Sequence, residues 1–289
     1  MRRSDAVMPF KAKRTKAAFA AAFIIFALYS LTIIFIMGWA FLQSLKTNRE
    51  FINDLTSLPK SWLFSNYSQA FSSVKHGRTA FFGMFVNSIW FAAGMSVISV
   101  FMHCVTGYCF AKYKFIGRQT IFSFVLFTLI IPIVGALPSL YRIIYTMGAN
   151  DSPLFLITAL GGFGSNFLIM YAFFKSIDWS YAEACFIDGG GHFYVFFRIM
   201  LPLAAGPVTA LSIVGIIAQW NNYETPILFL DKMPTLASGL YHYKEVARYE
   251  SNEPVYLAGV LLSTLPILVL VAAFGNKVMK NMTMGGLKG

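Results

Sequence analysis

Charged residues make up only 12% of this 289-residue chain, against 57% hydrophobic and 17% aromatic. That is too little polar surface for a soluble globule, whose charged fraction runs near a quarter. Cysteine is scarce as well. The three cysteines, at 104, 109 and 185, give no even-numbered framework of disulfides. No Gly-x-x-x-x-Gly-Lys-Ser/Thr phosphate loop occurs, so any use of ATP is expected to fall to a partner. The four histidines, at 76, 103, 192 and 242, have no second histidine or cysteine at metal-ligand spacing on one face, and His103 and Cys104, being adjacent, point different ways. No metal and no catalytic residue is expected. A Gly-x-Ser-x-Gly nucleophile turn is missing too.

What is abundant is apolar length. Six stretches, roughly 18–42, 81–111, 121–146, 153–174, 202–229 and 255–276, are long enough to cross a bilayer core of about 30 Å as helices. The expectation is an all-α polytopic membrane protein with six transmembrane helices over 18–276, a short amino terminus at 1–17 and a tail at 277–289. The basic run before the first stretch looks like a signal peptide, but 18–42 is too long for a signal core and lacks a clear cleavage site. The net charge of +11 is mostly an orientation signal. Of the 23 Lys and Arg, 14 fall in the amino terminus, the 112–120 and 175–200 loops and the tail, and nine in the alternate segments. This excess is expected to place both termini and the 180s loop in the cytoplasm. The outer segments also carry Glu50, Asp54, Asp151, Asp231, Glu245, Glu250 and Glu253 and are close to neutral. Nucleic-acid binding therefore has no support beyond the net charge.

The most informative run is 178–202, a helix-forming, glycine-broken connector between two apolar stretches. Ser180 followed by Glu183 reads as a capping box starting a helix. Gly189, Gly190 and Gly191 read as a sharp turn. Phe193, Phe196, Phe197 and Met200 then fall at i, i+3, i+4 and i+7, one aromatic stripe of a second helix that Pro202 is expected to end. The plainer alternative is an ordinary amphipathic helix lying on the membrane surface, which would not require the spacing of these residues. Its spacing resembles something more specific. Membrane subunits of bacterial ABC importers carry a loop reading Glu-Ala-Ala, three residues, Gly, nine residues, Ile, one residue, Leu-Pro. Glu183-Ala184-Cys185, Gly189, Ile199 and Leu201-Pro202 fit it, with Cys185 in place of the second alanine.

Further text is similar to carbohydrate permeases of that family. Pro59, aromatics and Asn66-Tyr67 follow the first span. Trp220, Asn221, Tyr223 and Pro226 close the fifth, and Gly285-Gly286-Leu287-Lys288-Gly289 ends the chain. The resemblance covers most of the sequence and is closest to the smaller permease subunit of maltose-type importers. It implies the type I ABC importer permease fold and residence in the bacterial inner membrane. It implies a heterodimer with a second, homologous permease, two ATP-binding subunits that hold ATP and Mg, and an extracytoplasmic solute-binding protein. It assigns ATPase coupling to Glu183, Ala184, Cys185, Asp188, Gly189, Gly190, Ile199, Leu201 and Pro202, and ATPase contact to the tail, which is otherwise a frayed end. Gln219, Trp220, Asn221, Asn222, Tyr223 and Glu224 are either a substrate path, with rings stacking on a sugar and amides bonding hydroxyls, or ordinary interhelical hydrogen bonds and an aromatic belt. A permease for a non-sugar solute would keep the loop but not these texts together. An ion-coupled transporter would bury ionisable residues in mid-span, and only Arg142 and Glu224, both near span ends, come close.

Overall fold

The computed structural model describes residues 9–131, 135–245 and 252–283. Its elements are α1 (Pro9–Ser44), α2 (Asn48–Asn53), α3 (Ser65–Ser73), a two-stranded hairpin (Lys75–His76 with Thr79–Ala80), α4 (Phe81–Lys112), α5 (Arg118–Ile130), α6 (Leu137–Thr146), a 3-10 segment (Pro153–Leu160), α7 (Ser165–Ser176), α8 (Ser180–Ile187), α9 (His192–Leu203), α10 (Ala205–Trp220), α11 (Glu224–Phe229), α12 (Leu236–Glu245) and α13 (Glu253–Thr283).

Three helices among the described residues are long and apolar enough to cross a membrane unbroken: Ala18–Ser44, Phe81–Lys112 and Glu253–Asn276. Two bent helix pairs pass the same test only when taken together, the 3-10 segment with α7 at 57° and α9 with α10 at 72°; the first overlaps the expected span 153–174, and α10 falls within the expected span 202–229. The stretch 121–146 is not one continuous helix among the described residues. It is seen as α5, which ends in extended backbone at Ile131, and α6, which follows Gly135 at φ +82°, a conformation that glycine adopts freely. Pro138 follows at the start of α6, and Pro132 lies outside the described residues. At about 1.5 Å per residue, the 13 residues of α5 reach roughly 20 Å, short of the hydrocarbon thickness.

The centre of the bundle is α4, with buried residues from Phe81 to Phe110 along its whole length. It packs on α7, α10 and the 3-10 segment. Small residues let the backbones approach, as expected where lipid removes most of the hydrophobic drive between helices. A Cβ on Gly107 would stand 2.9 Å from both Met170 Cβ and the Tyr171 backbone nitrogen. A Cβ on Gly215 of α10 would meet Ser96 Oγ of α4, whose hydroxyl donates to the Ser212 carbonyl at 2.7 Å. By contrast α1 stands apart from this core, and the apolar window of its span is not buried at all.

At one end of α4 the chain builds a cap from α2, α3 and the hairpin. Asn66 holds it together, its amide donating to the Ser44 and Lys46 carbonyls at 2.8 and 2.9 Å. These are carbonyls freed where α1 ends. The fully buried Lys46 donates through Nζ to the Asp54 carbonyl at 2.7 Å. The Asp54 carboxylate accepts from the backbone amides of Thr56 and Ser57, both at 3.0 Å. Those two bonds hold its pKa down to about 2.

Gly107→Ala is expected to lower the thermal midpoint of the detergent-solubilised protein by several degrees, about 1–3 kcal/mol for forcing a methyl against backbone that cannot give way. Gly38→Ala, where a Cβ meets nothing within 4 Å, is its control. Equal midpoints for the two variants, measured by intrinsic fluorescence, would count against the close approach of α4 and α7.

Candidate functional site

The connector from Ile177 to Leu203 folds as two short helices that lie across the end of α4 opposite the cap. Its start differs from the expected capping box. Ser180 is already inside α8, and no side-chain cap bond is made at the Trp179 N-cap. The Asp178 carboxylate does the work instead, accepting the Ser180 amide at 2.8 Å. That bond, with a second from the Ser180 hydroxyl, holds the Asp178 pKa below its ordinary value. Glu183 is left exposed.

Helix α8 ends in a paired bond pattern that explains two of the glycines. The Gly189 amide donates to the Phe186 carbonyl at 3.1 Å and the Gly190 amide to the Cys185 carbonyl at 2.8 Å, with Gly189 at φ +83°. This is the Schellman stop, and its left-handed residue strongly favours glycine. Gly190 serves a different need. A Cβ there would collide with Cys185 Sγ, so the larger side chain at the second alanine position of the loop is accommodated by the lack of one at 190.

The second helix departs from the expected pattern. Residues 195–200 form a π-helix, in which backbone bonds reach five residues back and a turn takes more than four residues. Val195 and Met200, five apart, are therefore both buried, together with Phe196. Phe193 is turned out, 80% exposed, and Phe197 is half exposed. The aromatic stripe expected at α-helical spacing is not formed. Pro202 does not end α9 either. It sits within the final turn at an N-terminal-type position where its missing amide is tolerated, and the 72° bend comes at Ala204, between α9 and α10.

The inward face of this loop merges with the bundle. Ala182, Cys185, Val195, Phe196, Met200 and Ala204 share one buried cluster with Val100, Cys104 and Tyr108 of α4 and Met170 and Phe174 of α7. Polar contacts that sequence reading missed complete the attachment. Lys112 Nζ donates to the Ile177 carbonyl and lies 5.9 Å from the centre of the Trp179 ring. Tyr113 hydrogen-bonds His192 Nδ1 at 3.0 Å. The Trp179 ring packs at a tilt on Phe186, which in turn meets the His192 ring edge-on. The only sequence signal for these was a cluster of ring residues flanking Lys112 and the glycine turn. The outward face is open and mixes apolar and acidic side chains: Ile187 is 86% exposed, and Tyr181, Glu183, Ala184, Asp188 and Tyr194 are exposed as well. Ile199 and Leu201 are half-buried and Pro202 is exposed.

The polar run 219–224 lies at the far end of α10, about 24 Å from Ala204 at the helical rise. Trp220 is buried, with Nε1 donating to the Ser263 carbonyl at 3.0 Å and its ring edge-on to Phe85. The amides bond within their own segment. Asn221 donates to the Ile217 carbonyl, and Asn222 donates to Gln219 Oε1 and Thr225 Oγ1 while accepting the Thr225 amide. Tyr223, partly exposed, stacks on Tyr241 at 4.9 Å and 15°. Glu224 is exposed at the start of α11. The tail residues 285–289 lie outside the described residues. Among the described residues no group of histidine, cysteine and acidic side chains is arranged to hold a metal ion.

Residues 103–278 match the family model described as binding-protein-dependent transport system inner membrane component. The chain is 26% identical over 263 residues to the diacetylchitobiose uptake system permease protein of Streptomyces coelicolor, covering 89% of this chain and 85% of that one. It is 28% identical over 274 residues to the arabinooligosaccharides transport system permease protein of Bacillus subtilis, covering 91% and 94%. In fold it resembles a chain of a bacterial ABC transporter involved in import of the acidic polysaccharide alginate, with TM-score 0.74 at 19% identity over 96% of this chain and 99% of that one.

Gly190→Ala is expected to destabilise the loop through the Cys185 thiol, and Cys185→Ala in the same chain to restore it, a coupling of about 1–2 kcal/mol. Thermal unfolding of both single variants and the double measures it, and strictly additive effects would refute the compensation.

Proposed function

Because the chain belongs to the binding-protein-dependent transport system inner membrane components, we propose that it is one half of the translocation path of an ATP-driven carbohydrate importer. Its relatives are permeases for oligosaccharides by name, and the Asn66-Tyr67 and Trp220-Asn221 texts point the same way. In this reading the chain pairs with a second, homologous permease. An extracytoplasmic solute-binding protein delivers an oligosaccharide at the cap end. Two partner subunits, which bind ATP and Mg, meet the loop. The charge asymmetry supports placing both termini and the loop in the cytoplasm of a bacterium, with the tail 285–289 reaching the ATP-binding pair.

The observation that carries the proposal is the two-sided build of residues 177–203. One face is fused to α4 and α7 through buried side chains, and the other offers Ile187, Tyr181 and Tyr194 to a partner. A loop of that kind is a lever. When ATP draws the partner subunits together, the outward face moves with them. The fused face carries α4 and α7, and the bend at Ala204 carries α10, whose far end holds residues 219–224. ATP can drive this change only if the partner grips the loop differently in the two arrangements. The candidates for contact with a sugar on this side of the path are Gln219, Asn221, Asn222, Tyr223 and Glu224, with Trp220 as the buried support behind them.

Ile187→Asp is expected to abolish co-purification of the ATP-binding subunits while leaving the chain inserted and thermally intact, since it changes an 86%-exposed side chain. Retention of those subunits in full would remove the docking face from the proposal. Gly189→Val places a β-branched residue at φ +83°, a strain of at least about 1–2 kcal/mol. Binding-protein-dependent uptake of labelled oligosaccharide into vesicles should fall tenfold or more with the complex still assembled. Undiminished uptake would show that the glycine stop does not set the lever.

A further inference from the structure

The loop between α4 and α5 makes a basic groove outside the residues assigned above to the coupling loop and the sugar path. Lys114, Arg118 and Lys175 surround it, with Tyr171, Gln119 and Thr120 completing the wall, around a cavity of about 510 Å³. Among the described residues none of the three cations lies within ion-pair distance of a carboxylate. Lys175 has Nζ 5.7 Å from the centre of the Tyr171 ring. Three uncompensated positive charges at one opening repel one another, and an anion would relieve that repulsion.

The backbone adds to the same field. The groove takes in the first turn of α5, a 13-residue helix entered through Gly117 at φ +82°, with no side-chain cap and no acidic residue in that turn. Its first amides, at Gln119 and Thr120, face an end of the helix that carries partial positive charge. Beside the groove Ile116 is fully exposed, and Ile121 and Phe124, three residues apart on α5, are exposed too. An apolar side chain thrust out between Lys114 and Arg118 suits the boundary of a bilayer, where cations meet headgroups and the neighbouring apolar side chain enters the acyl layer.

We infer that Lys114, Arg118 and Lys175 with the amino-terminal turn of α5 form a site for the phosphate headgroup of an anionic phospholipid, its acyl chains lying along Ile121 and Phe124. The site occupies the same end of the bundle as the loop 177–203, because Lys175 belongs to the last turn of α7 and the neighbouring Ile177 carbonyl accepts from Lys112. It rests on that end lying at a bilayer surface and on nothing about the sugar. Occupancy would tie α5 to α7 through one phosphate and steady the base from which the loop springs.

The test uses the full chain with its partner subunits in nanodiscs of mixed phosphatidylcholine and phosphatidylglycerol, counting retained lipids by native mass spectrometry. Wild type is expected to hold phosphatidylglycerol in preference to phosphatidylcholine. The variant Lys114→Gln/Arg118→Gln/Lys175→Gln should lose that preference by about fivefold per cation removed. A variant at the opposite end, Lys60→Gln/Lys75→Gln/Lys232→Gln, should keep it. Lys114→Gln alone, at an exposed position, should give a partial loss and decides the matter if the triple variant fails to fold. Calorimetry with inorganic phosphate in phosphatidylcholine discs separates a free anion from a lipid. Equal retention by wild type and the first variant, an equal loss in the second, or phosphate binding without any phosphatidylglycerol preference would each overturn the inference.

Discussion

The close approach of α4 and α7 at Gly107 is the contact on which the loop's position depends. With Met170 Cβ and the Tyr171 nitrogen 2.9 Å from where a side chain would begin, the two helices meet backbone to backbone. That brings Tyr108 and Phe174 into one ring contact at 5.6 Å, and their combined surface is where Cys185, Phe196 and Met200 settle. Were the helices a methyl group further apart, that surface would split into two. Apolar side chains there would still be shielded from water, but not fixed in one relative position.

A second constraint keeps the loop from rocking on that surface. Dispersion and burial are non-directional, whereas the hydrogen bonds from Lys112 to the Ile177 carbonyl and between Tyr113 and His192 are directional, and both leave the end of α4 beside the Trp179 ring. Directional bonds at that end of α4 fix an orientation that apolar contact alone would leave loose. The same division recurs at the cap, where Asn66 bridges two carbonyls at the end of α1 while Val74, Phe81 and Met84 supply the apolar contact.

Much of this was legible in the sequence because it depended on composition or on glycine. Apolar length located the membrane helices. The spacing from Glu183 to Pro202 located the loop, and Gly189 located its turn, since few residues other than glycine take that backbone angle. What escaped was whatever depended on partners distant in sequence or on bond pattern. Ser180 and Glu183 have the letters of a capping box, yet Asp178, two residues earlier, reaches the Ser180 amide first. Phe193 and Phe197 match an α-helical stripe, but the backbone there closes wider turns. The stretch 121–146 is apolar over most of its length and still is not one helix: α5 ends in extended backbone at Ile131, and α6 begins only after Gly135 at φ +82°. Trp220 stands in a polar run whose letters suit a binding site or a buried support equally well, and only its bond to Ser263 shows how it is held.

The wide-turn segment at 195–200 carries an evolutionary implication. A π-turn is equivalent to an α-helix that has gained one residue without lengthening the chain path around it. Because the wide turn takes up that residue within itself, shedding one residue from this segment would return it to α-helical bonding and leave its two flanks facing nearly as they do. What would change is the segment's own surface, since Val195 and Met200, five residues apart, share the buried side only while the turn is wide. A one-residue deletion here would therefore alter which side chains meet α4 and α7 without re-aiming the glycine turn.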